Sequence, residues 1–380
     1  MRVLLDVSAV PPRPVGAGVY TVALARSLGA RGDLDLHLLA RADDATRWRN
    51  EAPSASVHAE APSSRPARLV WEQAAAPSLA VRLGIDVWHG PHYTMPLRLT
   101  VPAVVTVHDL TFFDHPEWHE RSKVAFFRRM IRSAARRASL VVCVSGFTES
   151  RLAHIATPAG ETVVVHHGVD HSRFAPDDGS PSLSRGDLEI LAPHGIVPPY
   201  VAFASTLEPR KDAPTLVHAF AEVARSRPDL RLVLAGGDGW GARAVREAIV
   251  ASGVATRVIR PGYLPNEAIP AFFRRADVVA YPSLEEGFGL PALEALACGA
   301  PLVSTTGSAV EEVVGDAALL VAPGDSSALA AALTRVLGDA SEATRLRRAG
   351  PPRAAPFTWS ESIDRHVAAY RSVARAGVAH

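Results

Sequence analysis

The sequence predicts an α/β protein of two doubly wound, parallel-sheet domains facing each other across a cleft. Three observations carry this. Short β-branched runs alternate with longer helical stretches, the pattern of strands covered by helices on both faces. The alternation is interrupted at 176–199 by a stretch with Asp, Gly, Ser and Pro in quick succession, and then resumes. A chain of 380 residues is long enough for two domains that each bury a core.

In the first half the strand candidates are Arg2–Val7, Leu34–Ala40, Val87–His89, Ala103–His108, Leu140–Val144 and Thr162–His166, with helical stretches at Val19–Arg31, Ser122–Ala138 and Phe147–His154. In the second half the strands are Tyr200–Ser205, Arg231–Ala235, Val258–Arg260, Val278–Tyr281, Pro301–Ser304 and Ala318–Val321. The helices there are Thr215–Ser226, Ala242–Ser252, Asn266–Arg274 and Ser327–Leu337. This places a first domain over 1–175, a linker and hinge over 176–199, and a second domain over 200–358. Pro351–Thr358 reads as a further break, and Trp359–Ala374 as a periodic helical tail. Ligands in open sheets of this kind sit beyond the C-terminal ends of the strands.

Composition excludes several classes. Lys plus Arg is 40 against 39 for Asp plus Glu, so no global charge draws the chain to nucleic acid. Cys143 and Cys298 form neither a disulfide framework nor a zinc spacing, which fits a reducing compartment. The start, Met1-Arg-Val-Leu-Leu-Asp6, reads as a first strand rather than a signal peptide. No apolar run reaches the roughly 18 residues of a membrane span. A cytoplasmic protein is expected, with peripheral contact at the inner membrane face as a secondary reading.

The richest stretch is Ser283-Leu-Glu-Glu286-Gly-Phe-Gly-Leu-Pro-Ala-Leu-Glu294, which follows the strand Val278–Tyr281. Glycines and the start of a helix carrying Pro291 in its first turn offer backbone N–H groups and a positive helix end to phosphate. Carboxylates repel phosphate, so the expected partners of Glu286 and Glu294 are hydroxyls on either side of a diphosphate. A sugar nucleotide has that layout. Glu285 does not fit the spacing, because Leu293 stands where its partner would be.

At these residues the chain resembles the retaining, two-domain glycosyltransferases of family four (the group-one glycosyltransferases), whose signature is Glu, seven residues, Glu. The resemblance implies the GT-B fold of two Rossmann-like domains, with a last helix (360–380) crossing back to the first. It implies that Glu286 faces the donor sugar hydroxyls, that Glu294 holds the ribose, and that Gly287, Phe288, Gly289 and Leu290 line the donor. Thr206-Leu-Glu-Pro-Arg210-Lys211-Asp212 follows the strand Tyr200–Ser205, and adjacent cations there suit a diphosphate. In the family the Arg-Lys pair binds the donor pyrophosphate; many relatives carry Gly at the place of Ser205 and Asn at the place of Asp212. Gly16-Ala-Gly18 matches a glycine loop near the donor phosphate and the acceptor. Position 21, where a dinucleotide fingerprint would have its third glycine, is Thr21. By resemblance His108, at the end of a strand, helps shape the transition state; Asp109 either orients its ring or caps the next turn. By resemblance the loop after Val258–Arg260 packs along the base with backbone groups reading its edge, and Tyr263 and Leu264 are the candidates; aromatic packing inside the domain accounts for them equally well. His89 reads as structural.

Asp33-Leu-Asp35 runs into a strand and reads as an ordinary strand entry rather than a pair holding a divalent ion, so no metal site is expected. The favoured function is a metal-independent, retaining transfer of a hexose from a nucleoside-diphosphate sugar to a hydroxyl of a glycan, glycolipid or small-molecule acceptor, without cofactor. Val107-His-Asp109, Leu207-Glu-Pro-Arg-Lys211 and Glu286-Gly-Phe-Gly289 look most like the mannosyltransferase branch, which favours GDP-mannose. The rivals are a non-catalytic sugar-nucleotide-binding subunit and a sugar-nucleotide epimerase. Asn50–Arg65 and Phe112–Arg121 are the candidate acceptor loops. The basic helix over 120–137 either lies on anionic lipid or packs its Phe and Ile inward and solvates its arginines; the second reading is favoured.

Overall fold

The computed structural model describes residues 1–378. The chain divides into two compact units: Met1–Gly168 together with the final helix, and Val169–Thr358. The first unit runs β1 (Arg2–Asp6), α1 (Ala17–Gly29), β2 (Asp35–Arg41), α2 (Ala45–Glu51), β3 (Ser56–Ala61), α3 (Arg65–Ala74), α4 (Ala76–Leu83), β4 (Val87–Gly90), β5 (Ala103–Val107), α5 (Thr111–Asp114), α6 (Arg121–Arg137), β6 (Leu140–Cys143), α7 (Gly146–Ile155) and β7 (Glu161–Val164). Its sheet is parallel and seven-stranded, in the order β3-β2-β1-β4-β5-β6-β7. The strand order therefore reverses between β1 and β4. All of β4, β5 and β6 is buried, which is why these strands read as plain apolar runs.

Three expectations for this unit change. Asn50–Arg65 is not a loop: it contains the edge strand β3, whose Ser-Val-His-Ala-Glu-Ala is polar because it is only half covered. Phe112–Arg121 is likewise mostly ordered, with α5 and a turn of 3₁₀ helix at Pro116–Trp118. The unit ends at Gly168 rather than at 175. In α6, Val124, Phe127, Met130 and Ile131 are buried in the core while Arg121, Arg129, Arg132, Arg136 and Arg137 are exposed, so the apolar stripe packs inward and the arginines lie on the surface. Asp33 is engaged by Arg31 and Arg371 and Asp35 by Arg2, which makes this pair part of the surface ion-pair pattern.

The second unit runs α8 (Pro181–Leu191), β8 (Tyr200–Ala204), α9 (Ala213–Val223), β9 (Arg231–Ala235), α10 (Ala242–Ala251), β10 (Val258–Gly262), α11 (Ala268–Arg274), β11 (Val278–Tyr281), α12 (Leu290–Ala297), β12 (Leu302–Thr305), α13 (Ala309–Val314), β13 (Leu319–Val321), α14 (Ser326–Gly338) and α15 (Ala340–Ala354). Its parallel sheet has the order β10-β9-β8-β11-β12-β13, with the reversal between β8 and β11.

The segment 176–199 lies inside the second unit and contains α8. Ser180 caps α8 by accepting from Leu183 N–H, and Pro181 occupies the first turn, so the Gly-Ser-Pro run is a helix start. Asp187 of α8 is 2 % exposed and takes Arg274 in a two-pronged bond (2.7 and 3.0 Å) and Arg275 at 2.8 Å, which fastens α8 to the end of α11. The break expected over Pro351–Thr358 narrows to 355–358, because α15 continues through both prolines to Ala354. Arg353 holds that last turn by donating to the carbonyls of Val313 (2.9 Å) and Glu312 (2.6 Å).

The final helix, α16 (Trp359–Val378), belongs to the first unit and packs on α1 and β4. A buried polar chain joins it to the sheet, and its proton order follows from the partners. His366 Nδ1 lies 2.7 Å from the Ser362 carbonyl, so it donates and Nε2 accepts. Tyr20 Oη donates to that Nε2 (2.8 Å) and accepts from Thr106 (2.9 Å). Thr106 accepts from His89 Nε2–H (2.8 Å), leaving His89 Nδ1 to accept from Tyr370 (2.7 Å). Both histidines are neutral in this arrangement. Burial lowers His366 to about 4 and drives His89 well below its ordinary range.

Candidate active site

The clearest site lies in the second unit, at the C-terminal ends of β8 and β11, the pair of strands between which the order reverses. After β8 the chain makes a 3₁₀ turn over Pro209–Lys211, and Asp212 takes a left-handed conformation (φ 47°) before α9. An asparagine, common in relatives here, enters that region easily, and aspartate is the next best choice. After β11 the chain passes through Glu286 and Gly289 into α12. Gly289 has φ 101°, and a Cβ there would stand 3.0 Å from Val310, so glycine is required on both counts.

The two loops meet. Leu284 N–H donates to Arg210 carbonyl (2.8 Å), and Arg210 Nη1 donates to Glu286 Oε2 (2.7 Å). Lys211 Nζ donates to Glu286 Oε1 and to Tyr281 Oη (3.0 Å), while Tyr281 donates to Glu286 Oε1 (2.8 Å). Lys211 and Glu286 are buried, with side chains 8 % and 6 % exposed. Burial alone would raise Glu286, but the charges of Arg210 and Lys211 bring it down to about 2. Burial and the neighbouring Arg210 lower Lys211, with Glu286 pulling it back. The carboxylate is therefore a fixed anion that neutralises two cations. The sequence reading aimed Glu286 at hydroxyls alone; in the structure its principal partners are the cations.

Glu294, on α12, is half-buried and makes no hydrogen bond among the described residues through its side chain. Burial pushes its carboxyl up to about 8 against the charge of Arg173, and in the protonated form it can donate as well as accept. Two of the expected donor contacts have buried side chains. Phe288 is buried against Phe357 (ring centroids 6.1 Å apart), which leaves its backbone rather than its ring to face a ligand. Leu264 is 1 % exposed and belongs to the core. Tyr263 is exposed, with its hydroxyl donating to Asn266 (3.2 Å). Gly287 is buried, and Leu290 is half-buried at the first position of α12.

Sequence reasoning missed three features of this site. Tyr281 was read only as a strand residue, although a tyrosine at a strand's C-terminal end is well placed to present its hydroxyl. Glu208 was passed over; it accepts from Arg210 Nε at 3.2 Å. The third is Gly236-Gly-Asp-Gly-Trp-Gly241 after β9, whose one signal in the sequence is its glycine density. That loop is bonded to the cation loop by Leu207 N–H to Gly237 carbonyl (3.0 Å) and Gly241 N–H to Leu207 carbonyl (2.9 Å). A Cβ on Gly236 would collide with Ser205 carbonyl at 1.9 Å.

The remaining sequence candidates fall in the first unit. Gly16 has φ 50° with open space around it, as a ligand-facing loop glycine would. Gly18 is buried, and a Cβ there would stand 3.1 Å from Pro14, so its smallness serves packing within the loop. His108 is buried beside Tyr20 and Tyr93 and donates from Nε2 to Pro91 carbonyl (2.7 Å). Nδ1 then carries the lone pair. Burial, then the nearby His92, lowers the ring to about 4, so at neutral pH it is an acceptor and not a proton donor to substrate. Asp109 caps the following turn by accepting from Thr111 (2.9 Å from its hydroxyl).

Two parallel-sheet, Rossmann-like units, with a basic pair and a buried glutamate at the switch point of the second, define a glycosyltransferase of the GT-B type. The chain belongs to the group-one, family-four glycosyltransferases. Residues 14–173 match the family described as Glycosyltransferase Family 4, and residues 190–353 match Glycosyl transferases group 1. An Escherichia coli O-antigen chain mannosyltransferase B is 31% identical over 75% of this chain and 74% of its own. A GDP-mannose-dependent alpha-(1-6)-phosphatidylinositol monomannoside mannosyltransferase of Mycolicibacterium smegmatis is 32% identical over 70% of each chain. A D-inositol 3-phosphate glycosyltransferase of Segniliparus rotundus is 29% identical over 74% of this chain but 63% of its own length. The fold is shared with sucrose-phosphate synthase from Thermosynechococcus elongatus (TM-score 0.82, 22% identity, 99% of this chain and 100% of that one). It is shared also with Anabaena HepE in complex with UDP and glucose (TM-score 0.78, 21% identity, 98% and 100%).

Proposed function

We propose that the protein transfers a hexose, mannose in preference, from GDP-mannose to a hydroxyl of a glycan, glycolipid or small-molecule acceptor, with retention of anomeric configuration and without a metal ion. The observation that carries this reading is the cluster of Arg210, Lys211, Tyr281 and Glu286 at the switch point of the second unit. A departing nucleoside diphosphate gathers negative charge, and preorganised cations there lower the barrier. Arg210 offers a planar fork and Lys211 a point charge, so the role that a divalent ion has elsewhere falls to side chains. Among the described residues no group of three or more His, Cys, Asp or Glu is placed to hold a metal ion. Glu294, half-buried on α12, accepts from the ribose hydroxyls and, when protonated, donates to them. No side chain is cast as a covalent nucleophile: the acceptor hydroxyl attacks the face the diphosphate leaves, and the leaving phosphate oxygen takes its proton. His108 contributes shape and an acceptor nitrogen.

The donor preference rests on the mannosyltransferase relatives and on the sequence around Glu286; the UDP complexes of HepE favour a uracil nucleotide instead. A thermal-shift panel of GDP-mannose, UDP-glucose and related donors, run with EDTA, separates them. GDP-mannose is expected to raise the melting temperature most, since a ligand of the native state stabilises it in proportion to its affinity. A panel in which no sugar nucleotide moves the transition removes the reading, and donor binding without transfer moves it to a binding subunit.

The proposal places the enzyme at the cytoplasmic face of a membrane when its acceptor is a lipid. No helix among the described residues is long and apolar enough to cross a membrane. The outer face of α6 carries Arg121, Arg129, Arg132 and Arg136, a cationic stripe suited to anionic headgroups. Wild-type protein is expected to co-sediment with vesicles containing phosphatidylglycerol and not with pure phosphatidylcholine. The R129E/R132E/R136E variant is expected to stay in the supernatant; equal sedimentation of the two proteins rules the stripe out.

A further inference from the structure

Glu208 stands at the rim of the cation cluster. Counted together, Glu208, Arg210, Lys211 and Glu286 are two anions and two cations, so the cluster is neutral. A nucleoside diphosphate needs a positive excess. One carboxylate must therefore give way, and the two are not equivalent. Glu286 is 6 % exposed and receives Arg210, Lys211 and Tyr281. Glu208 is 21 % exposed and makes one longer contact, 3.2 Å from Arg210 Nε. Its backbone is fixed: Lys211 N–H donates to its carbonyl (3.0 Å), and the Gly236–Gly241 loop packs so closely that a Cβ on Gly241 would stand 2.9 Å from the Glu208 carbonyl carbon. Only the side chain is free to swing, and its carboxylate goes to water.

We infer that Glu208 is a displaceable counter-ion of Arg210: it yields the guanidinium Nε to the donor's diphosphate and competes for it again when the nucleoside diphosphate departs. This rests on the sugar-nucleotide reading above and extends it to product release. Glu208 thus sets the affinity of the site for its own product, holding it weaker than the two cations alone would make it.

The test is calorimetric titration of GDP and UDP into wild-type protein, Glu208→Gln and Glu208→Ala. Removing one negative charge a few ångströms from the diphosphate is expected to tighten binding of the preferred nucleotide roughly three- to tenfold in both variants. The gain is expected to shrink as salt rises, because the pair is partly exposed. Product inhibition in steady-state transfer is expected to strengthen in parallel. Unchanged or weaker binding by Glu208→Gln overturns the inference. So does weaker binding by Glu208→Ala with Glu208→Gln unchanged, the pattern of a residue that only positions Arg210. Wild-type protein that binds neither nucleotide removes the sugar-nucleotide reading itself, and this inference with it.

Discussion

Glu286→Gln is expected to fold normally and to lose at least about a hundredfold in kcat/KM for sugar transfer, the scale of removing one preorganised electrostatic group from an active site. The amide keeps the size of the carboxyl and still accepts from Lys211 or Tyr281, but it carries no charge. Arg210 and Lys211, which both lean on Glu286, would then be left with Glu208 as the one carboxylate, on Arg210 alone, and Lys211 would be driven further toward its neutral form. Glu286→Ala is a harsher change. It leaves a buried ammonium with only Tyr281 Oη beside it, and an uncompensated buried charge costs about 3–5 kcal/mol. The two variants together separate catalysis from folding: the alanine protein is expected to melt earlier, the glutamine protein close to wild type. The pH dependence follows from the sign of the shift. Glu286 is depressed to about 2, so its stabilising contribution is complete above the ordinary carboxylate range near 4.5 and is lost only as pH falls toward 2. An acid limb of activity between pH 5 and 6 therefore belongs to another group. Wild-type turnover by purified Glu286→Gln would take the residue out of its role.

Much of this site was legible in the sequence, because its chemistry is local. Glu286, Gly289 and Pro291 lie within one strand–loop–helix, and Arg210-Lys211 within another. What the sequence did not carry was contact between the two. Whether Glu286 faces hydroxyls or cations depends on how the loops after β8 and β11 are placed across the sheet, and no spacing encodes that. Tyr281 was hidden because a tyrosine in a strand normally signals β propensity; its hydroxyl matters only through Lys211 and Glu286. The fold was read correctly at the buried β5 and β8 and at the half-covered β7, β10 and β13; β3 was missed because Ser-Val-His-Ala-Glu-Ala carries almost no β-branched run. Gly-Ser-Pro at 179–181 was read as a linker because turn chemistry and helix-start chemistry use the same residues. Asp187 was the discriminating signal, since an acid at that place is explained only by Arg274 and Arg275, which lie far along the chain.

The second large effect is expected in the first unit, where His366→Leu should lower the melting temperature of that unit sharply and expose α16 to protease. The substitution removes an acceptor from Tyr20 and breaks the directed chain from Tyr370 through His89, Thr106 and Tyr20 to the Ser362 carbonyl. Tyr20 Oη is left without its acceptor in a fully buried site. Each such orphan costs about 1–3 kcal/mol, and a broken network exceeds a single bond. Tyr370→Phe deletes only the first donor and leaves the ring in the core, so it is expected to cost less than His366→Leu. The order of the two effects tests the direction of the chain. Buried histidines of the same unit set an acid limit. His366 and His108 are held near 4, below the ordinary 6.5, so the unfolded chain takes up protons first as pH falls. Stability is complete above about 6.5 and declines between there and about 4, by roughly 1.4 kcal/mol per pH unit for each histidine. In His366→Leu that decline should be shallower by one histidine, measured as the slope of melting temperature against pH. An unchanged slope would mean that His366 is not neutral in the folded unit, and the proton order assigned to the chain would fall with it.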